Sequence, residues 1–129
     1  MKTALPLVFS ALIVVGCAPR TQVDFAWFNL SGHEIFVTEV SGLPPYASPG
    51  VLVAMPDDTS GRHGKTATSW ESIDVGDSIK ITWSESGTSQ RFEAKRADLS
   101  VPARLQGGQL KFTYQGHGKW RVRFVDHNL

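Results

Sequence analysis

Thiol chemistry in this 129-residue chain depends on a single residue, Cys17. The cysteine follows a nearly continuous apolar run over residues 4–15 and the small residue Gly16, and Lys2 precedes the run. This layout is typical of a secretory signal peptide, and the run is shorter than the roughly 20 apolar residues that a membrane span needs. The sequence therefore predicts a signal peptide over residues 1–16 that is cleaved after Gly16.

The residues around the predicted cut, Val14-Val15-Gly16-Cys17, resemble the lipobox of bacterial lipoproteins. The resemblance implies cleavage before Cys17 and acylation of its thiol and of the new amine. By the sorting rule of that family, Ala18 in the next position implies export to the outer membrane, with the protein facing the periplasm. Acylation would also remove the reactive liability of a lone thiol in a secreted protein. The alternatives are an ordinary signal peptide with a cysteine near its cut site and an uncleaved apolar anchor.

Composition limits what the remaining chain can be. Residues 17–22 form a short polar tether without strand or helix periodicity, and residues 23–129 are one domain, long enough for a hydrophobic core. Removing Lys2 leaves 12 basic and 12 acidic residues. That balance argues against a nucleic-acid-binding protein. Because the chain has one cysteine, its stability must come from packing rather than from an internal disulfide.

The sequence carries no convincing catalytic or metal-binding motif. A Gly-x-Ser-x-Gly elbow is absent, and His33-Glu34 lacks the second histidine that a zinc protease places four positions on. Asp57 and Asp58 lack the further oxygen ligands of a cation site, so a solvated turn is favoured. The histidines lie in or beside predicted turns or the terminus, as exposed loop residues do: His33, His63, His117 and His127. We therefore expect no enzyme activity, metal or cofactor.

Apolar and polar residues alternate with a period of two through most of the domain, which predicts strands. Val23, Phe25 and Trp27 share one face of the first strand, and Ile79 and Ile81 share one face of a later strand. The predicted strands cover residues 23–29, 34–40, 51–54, 70–75, 78–84, 90–95, 109–115 and 119–125, with 97–105 as a connector or edge segment. The expected fold is an all-β antiparallel sandwich, immunoglobulin-like, or a small barrel.

Residues 42–69 interrupt this pattern with repeated glycine and proline, and only 51–54 in this segment resembles a strand. A long irregular segment in a compact domain is often functional, although a solvent-exposed excursion without a role is equally compatible with the sequence. We predict that this segment contributes to binding. Trp70, at its border, is a second candidate contact residue, and packing in the core is the alternative.

Cations cluster on the outward face of the last predicted hairpin. Lys111 lies on its first strand, and Lys119, Arg121 and Arg123 lie on its second strand. Arg91 and Lys95 are expected on a nearby strand. These side chains predict a positive patch suited to an acidic partner or a phosphate-bearing lipid. The alternative is an ordinary solvated face of a two-sided sheet, since lysine and arginine also protect edge strands.

The order of these landmarks is similar to that of small bacterial envelope lipoproteins of unknown-function families. The landmarks are Phe28-Asn29 before a glycine turn, Ile35 and Val37, the Gly/Pro-rich segment, Trp70, the strand over 79–83, Val101-Pro102, and Gly108 before the closing hairpin. Some members resemble immunity lipoproteins encoded beside toxic effectors of the type VI secretion system. The resemblance implies a protein that binds and neutralises a toxin, with a lipid-degrading effector as the expected partner. The alternative is an accessory envelope lipoprotein that contacts lipopolysaccharide, peptidoglycan or a secretion machine.

Overall fold

The computed structural model describes residues 22–53 and 64–126, and this part of the chain folds as an all-β sandwich. The strands are β1 (Val23–Asn29), β2 (Ile35–Ser41), β3 (Val51–Leu52), β4 (Gly64–Ser69), β5 (Ile73–Asp74), β6 (Ser78–Glu85), β7 (Thr88–Lys95), β8 (Arg104–Leu105), β9 (Gly108–Gly116) and β10 (Lys119–Val125). Short 3₁₀ turns cover Pro45–Ala47 and Arg96–Leu99. The predicted signal peptide and the anchor at Cys17 lie outside the described residues.

Two four-stranded sheets form the layers of the sandwich. The first sheet has the strand order β10-β9-β1-β4, and the second sheet has the order β3-β2-β6-β7. A separate two-stranded ribbon pairs β5 with β8. No sheet closes into a barrel within the described ranges, so the sandwich alternative is confirmed and the small barrel is not.

One strand pair departs from the antiparallel arrangement expected from the hairpins. β1 and β9 run parallel, from Val23 beside Gly108 to Asn29 beside Tyr114, whereas the other ladders are antiparallel. The chain crosses to the second sheet after β1, returns to the first sheet at β4, visits the second sheet again, and reaches β9 only near its end. β1 and β9 are therefore not bound by the geometry of a hairpin. The first sheet is therefore mixed.

An aromatic cluster joins the two sheets in the core. Trp27 stacks on Phe112 with ring centroids 3.9 Å apart, and both belong to the first sheet. Trp83 reaches across from β6 and lies 5.4 Å from Tyr114 and 5.6 Å from Trp120, measured between ring centroids. These rings are almost completely buried. The alternation of large apolar residues along β1, β6, β9 and β10 thus produces one core, as the sequence predicts.

Both predicted hairpins close through two-residue turns. Ser86 and Gly87 join β6 to β7, and His117 and Gly118 join β9 to β10. All four residues have positive φ, between 53° and 79°. That backbone is characteristic of type I′ turns, whose twist matches the twist of the flanking strands.

The segment over 42–69 is more ordered than the sequence suggests. Ala47 is fully buried, and its carbonyl oxygen accepts a hydrogen bond of 2.6 Å from Trp27 Nε1. The carbonyl oxygen of Gly50 accepts a 2.9 Å bond from the Val37 amide. Strand β4, at the end of the segment, pairs with β1 from Val23 to Phe28. The expectation of an irregular chain is therefore wrong for residues 64–69, and the described part before them packs onto the sandwich.

The next part of the chain is less regular than expected. The strand predicted over 70–75 is reduced to β5, which pairs with β8 rather than with either main sheet. The expected connector over 97–105 contains a 3₁₀ turn and then β8. An ion pair joins Arg104 Nη1 to Asp74 Oδ1 at 3.7 Å across this ribbon. Both side chains are exposed, so the pair contributes little to stability.

Candidate functional site: a basic face and a distal cavity

The last hairpin presents four cations on the outer surface of the first sheet, as the sequence predicts. We call Lys111, Lys119, Arg121 and Arg123 the basic face. The side chains that alternate with them are the reason for this orientation: Leu110, Phe112, Trp120 and Val122 are all buried in the core. Because successive strand residues point to opposite faces, burying one set directs the cations outward.

The register brings two of these cations directly opposite each other. Arg123 on β10 pairs with Lys111 on β9, and Arg121 pairs with Thr113. Side chains in such positions have Cβ atoms about 4.5–5.5 Å apart, and like charges there are destabilising. The Nζ atom of Lys111 lies 5.2 Å from the centroid of the Phe28 ring, a cation–π contact on the same surface.

In the described ranges, cations outnumber acids on the outer surface of the first sheet. Within residues 22–53 and 64–126, none of its four cations forms an ion pair or a hydrogen bond with a carboxylate. The acid on this surface of β1 is Asp24, which accepts a 2.8 Å hydrogen bond from the Thr68 hydroxyl. In the register Asp24 lies beside Gln109, which is two residues further from the turn than Lys111. The face therefore carries a local excess of positive charge.

The outer face of the second sheet, unlike the basic face, carries side chains of both charges. There Lys80 on β6 lies opposite Glu93 on β7, so opposite charges are paired. Glu39 on β2 and Arg91 on β7 flank the same residue, Thr82. Arg91 and Lys95 belong to this face and not to the basic face, which corrects the expectation that they line the same patch. The outer face of the second sheet thus mixes three cations with two acids, whereas cations predominate more strongly on the basic face.

Trp70 is separated from the basic face. It is the first residue after β4, and β4 is the edge of the first sheet opposite β10. Its side chain is 72% exposed, so the alternative of core packing is wrong. Its role as a contact residue stays a prediction, and the structure gives no reason to join it to the cations in one surface.

A polar cavity that the sequence does not predict lies at one end of the sandwich. Three connections meet there: the β1–β2 loop and the β6–β7 and β9–β10 turns. The cavity measures about 370 Å³ and is lined by Leu30, Ser31, His33, Glu85, Ser86, Thr88, Gln90, Gln115, Gly116, His117 and Gly118. We call it the distal cavity, because β1 begins at the opposite end. His33 and His117 are exposed, as expected, and His63, His127, Asp57 and Asp58 lie outside the described residues.

Glu85 lines this cavity and is the acceptor in a network of hydrogen bonds. Its Oε1 atom accepts hydrogen bonds from the Tyr114 hydroxyl and, at 3.4 Å, from Trp83 Nε1. The Tyr114 oxygen in turn accepts a 3.1 Å bond from the Gly118 amide. Burial of the phenol and its bond to Glu85 raise the pKa of Tyr114 above its usual value of 10.0. The network fixes the β9–β10 turn to the second sheet.

Across residues 22–53 and 64–126, no group of three or more His, Cys, Asp or Glu side chains is placed to hold a metal ion. In the same ranges no helix is long and apolar enough to cross a bilayer.

No protein-family model, no curated protein and no solved structure matches the chain.

Proposed function

We propose that this protein is a lipid-anchored component of the bacterial envelope that acts by binding an acidic protein through its basic face. The observation that carries the proposal is the unneutralised charge of that face, in which Lys111 and Arg123 oppose each other. A like-charge pair costs stability in the free protein, and an acidic partner would remove that cost. Complementary charge of this kind also accelerates association and selects among partners.

The proposed anchor agrees with the direction of the chain. Cys17 lies five residues before Gln22, which directly precedes β1. Five residues reach at most about 18 Å, so an acylated Cys17 would hold the start of β1 close to the membrane surface. Strand β1, seven residues long, then spans roughly 23 Å away from that end. The turn of the last hairpin lies at the end of the sandwich opposite the start of β1.

We propose further that the partner is a toxic effector and that the protein is its immunity protein in the outer membrane, facing the periplasm. Neutralisation by occlusion needs a stable scaffold, a tether on the correct side of the membrane and a complementary surface. An effector that degrades lipids acts where such a tether would hold this domain. An accessory role in contact with lipopolysaccharide, peptidoglycan or a secretion machine is the outcome if no toxin is neutralised.

The test is survival of cells that produce the neighbouring gene's product in the periplasm. Wild-type protein should protect them, and the double reversal of Arg121→Glu and Arg123→Glu should not. The matched control is Arg91→Glu with Lys95→Glu, which changes net charge equally on the second sheet and should still protect. Equal death with and without the wild-type protein would disprove immunity and leave the accessory role.

Acylation is tested separately. Wild-type protein should incorporate a palmitate analogue during metabolic labelling, and Cys17→Ser should not. The variant should also accumulate as an uncleaved or mis-sorted precursor. Equal labelling of the two proteins would rule out the proposed anchor.

A further inference from the structure

Strand β10 is an open edge of the first sheet. It occupies the end of the order β10-β9-β1-β4, and in residues 22–53 and 64–126 no strand pairs with its other side. It is seven residues long, contains no proline, and is regular in register from Trp120 to Val125. A strand of this kind presents a row of free amide and carbonyl groups that can pair with another extended chain.

The charges on β10 discourage pairing with a second copy of the same strand. A two-fold antiparallel pair centred on Val122 would place Arg121 of each copy opposite Arg123 of the other. Like charges at directly opposite positions are unfavourable, so the edge opposes its own dimerisation. The same charges favour an extended segment whose outward positions are acidic.

We propose that β10 accepts an acidic extended segment of the partner as a fifth strand of the first sheet. The proposal rests on the proposed function and names the part of the partner that is bound. Outward side chains along a strand recur every second residue, about 6.6 Å apart. Carboxylates at alternate positions of the added strand would therefore lie opposite Lys119, Arg121 and Arg123 in turn. Main-chain hydrogen bonds would supply affinity, and these three pairs would supply specificity.

The edge strand β7 of the second sheet does not offer this pattern. Strand β7 is also an end strand, but its outward face carries Arg91, Glu93 and Lys95, which alternate in sign. An evenly acidic segment would meet repulsion at Glu93. The charge pattern thus selects β10 over β7 for an acidic strand.

The experiment uses the mature protein and a synthetic peptide with glutamate at alternate positions and valine or threonine between them. Two further peptides carry N-methyl groups, one on the amides of the glutamates and the other on the amides of the intervening residues. An added strand directs only one of these two sets of amides toward β10. We expect the parent peptide to bind and one methylated peptide to bind at least tenfold more weakly, while the other keeps the parent affinity. Hydrogen exchange at the amides of β10 should slow when the parent peptide is bound.

The outcomes separate strand addition from the function on which it rests. Equal binding of both methylated peptides, loss of both, or no binding of the parent peptide at low salt would overturn strand addition. None of those results touches the survival assay, in which charge reversal of Arg121 and Arg123 is compared with its control. If the Arg121 and Arg123 reversal abolishes protection while the peptide results overturn strand addition, the basic face binds a folded acidic surface instead.

Discussion

Asn29 shows how one buried polar side chain can fix the path of the chain. Its amide nitrogen donates to the carbonyl oxygens of His33 at 2.6 Å and Leu52 at 3.1 Å. Its Oδ1 atom accepts from the amide and the hydroxyl of Ser31, at 3.0 and 2.7 Å. Both the nitrogen and the oxygen of the side-chain amide therefore have hydrogen-bond partners, although the residue is only 3% exposed. It ties the end of β1 to the following turn and to β3.

We expect Asn29→Ala to lower the free energy of unfolding by about 1–3 kcal/mol, because buried carbonyl groups lose their donors. Ser31→Ala is the comparison, since it removes the half-buried hydroxyl that donates to Asn29 Oδ1 and leaves the Asn29 amide in place. It should cost less, about 0.5–1.5 kcal/mol. Urea denaturation measures both. An equal loss for the two variants would mean that the amide does not hold the turn.

Tyr114 gives the protein a dependence on alkaline pH. Because its pKa is raised in the folded state, folding holds the phenol proton more tightly than the unfolded chain does. This contribution is complete below pH 10 and is lost as the pH rises from about 10 through the folded-state pKa. The stability difference between wild type and Tyr114→Phe should therefore shrink above pH 10. Urea midpoints between pH 8 and 11 measure it, with Tyr46→Phe as the exposed control. A constant difference across that range would contradict the assignment.

Among the elements, the β9–β10 ladder has an inner face of buried apolar side chains and an outer face on which like charges lower the stability of the protein. The cost arises where Arg123 opposes Lys111, since Arg121 faces the neutral Thr113. A face with this arrangement is expected when selection for a partner outweighs a small loss of stability.

Arg123→Glu should stabilise the free protein by about 0.2–1 kcal/mol, because an attractive pair with Lys111 replaces a repulsive one. Arg121→Glu should raise the stability of the free protein by less. Both changes should slow association with an acidic partner and weaken the salt dependence of that association. Thermal denaturation and stopped-flow association measure the two effects. If Arg123→Glu is the less stable of the two variants, the register does not determine the energetics of this face.

The same elements show what the sequence can and cannot predict. The outward direction of Arg121 and Arg123 follows from alternation with Trp120 and Val122, so the basic face is predictable. Strand β4 is not, because its positions opposite Val23, Phe25 and Trp27 are Ser69, Ala67 and Lys65, which carry no apolar alternation. The pairing of β4 with β1 decides its structure, and pairing depends on residues far away in the chain.

Contacts between distant segments explain the remaining differences. The distal cavity exists only where three connections meet, and no pattern within any one of them indicates the others. The exposure of Trp70 likewise depends on β5 leaving the main sheets to pair with β8. Local periodicity determines which face of a strand is apolar, and it leaves open which strands become neighbours.

At the scale of the whole molecule, the two sheets form one cooperative unit. Trp83 from the second sheet packs against both Tyr114 and Trp120 of the first sheet, so neither layer keeps its core without the other. We expect unfolding to give coincident transitions by tryptophan fluorescence and far-ultraviolet circular dichroism.

Ile81→Ala should lower the free energy of unfolding by about 2–5 kcal/mol, since Ile81 is fully buried in the second sheet. Thr82→Ala, on the outer face of the same strand, should cost much less. Both probes should report the same shift for each variant. A shift seen by one probe alone would show that the sheets unfold separately, and the reverse order of the two costs would contradict the assignment of faces.

The parallel pairing of β1 with β9 has a consequence for the order of events during synthesis. Val23 pairs with Gly108, which leaves the ribosome 85 residues later. The centre of the first sheet therefore cannot form until the last hairpin begins to emerge, and contacts between such distant residues make folding slow. The second sheet, by contrast, consists of strands that all precede β9 in the chain. Closure of the sandwich is therefore a late event that waits for the C-terminal hairpin.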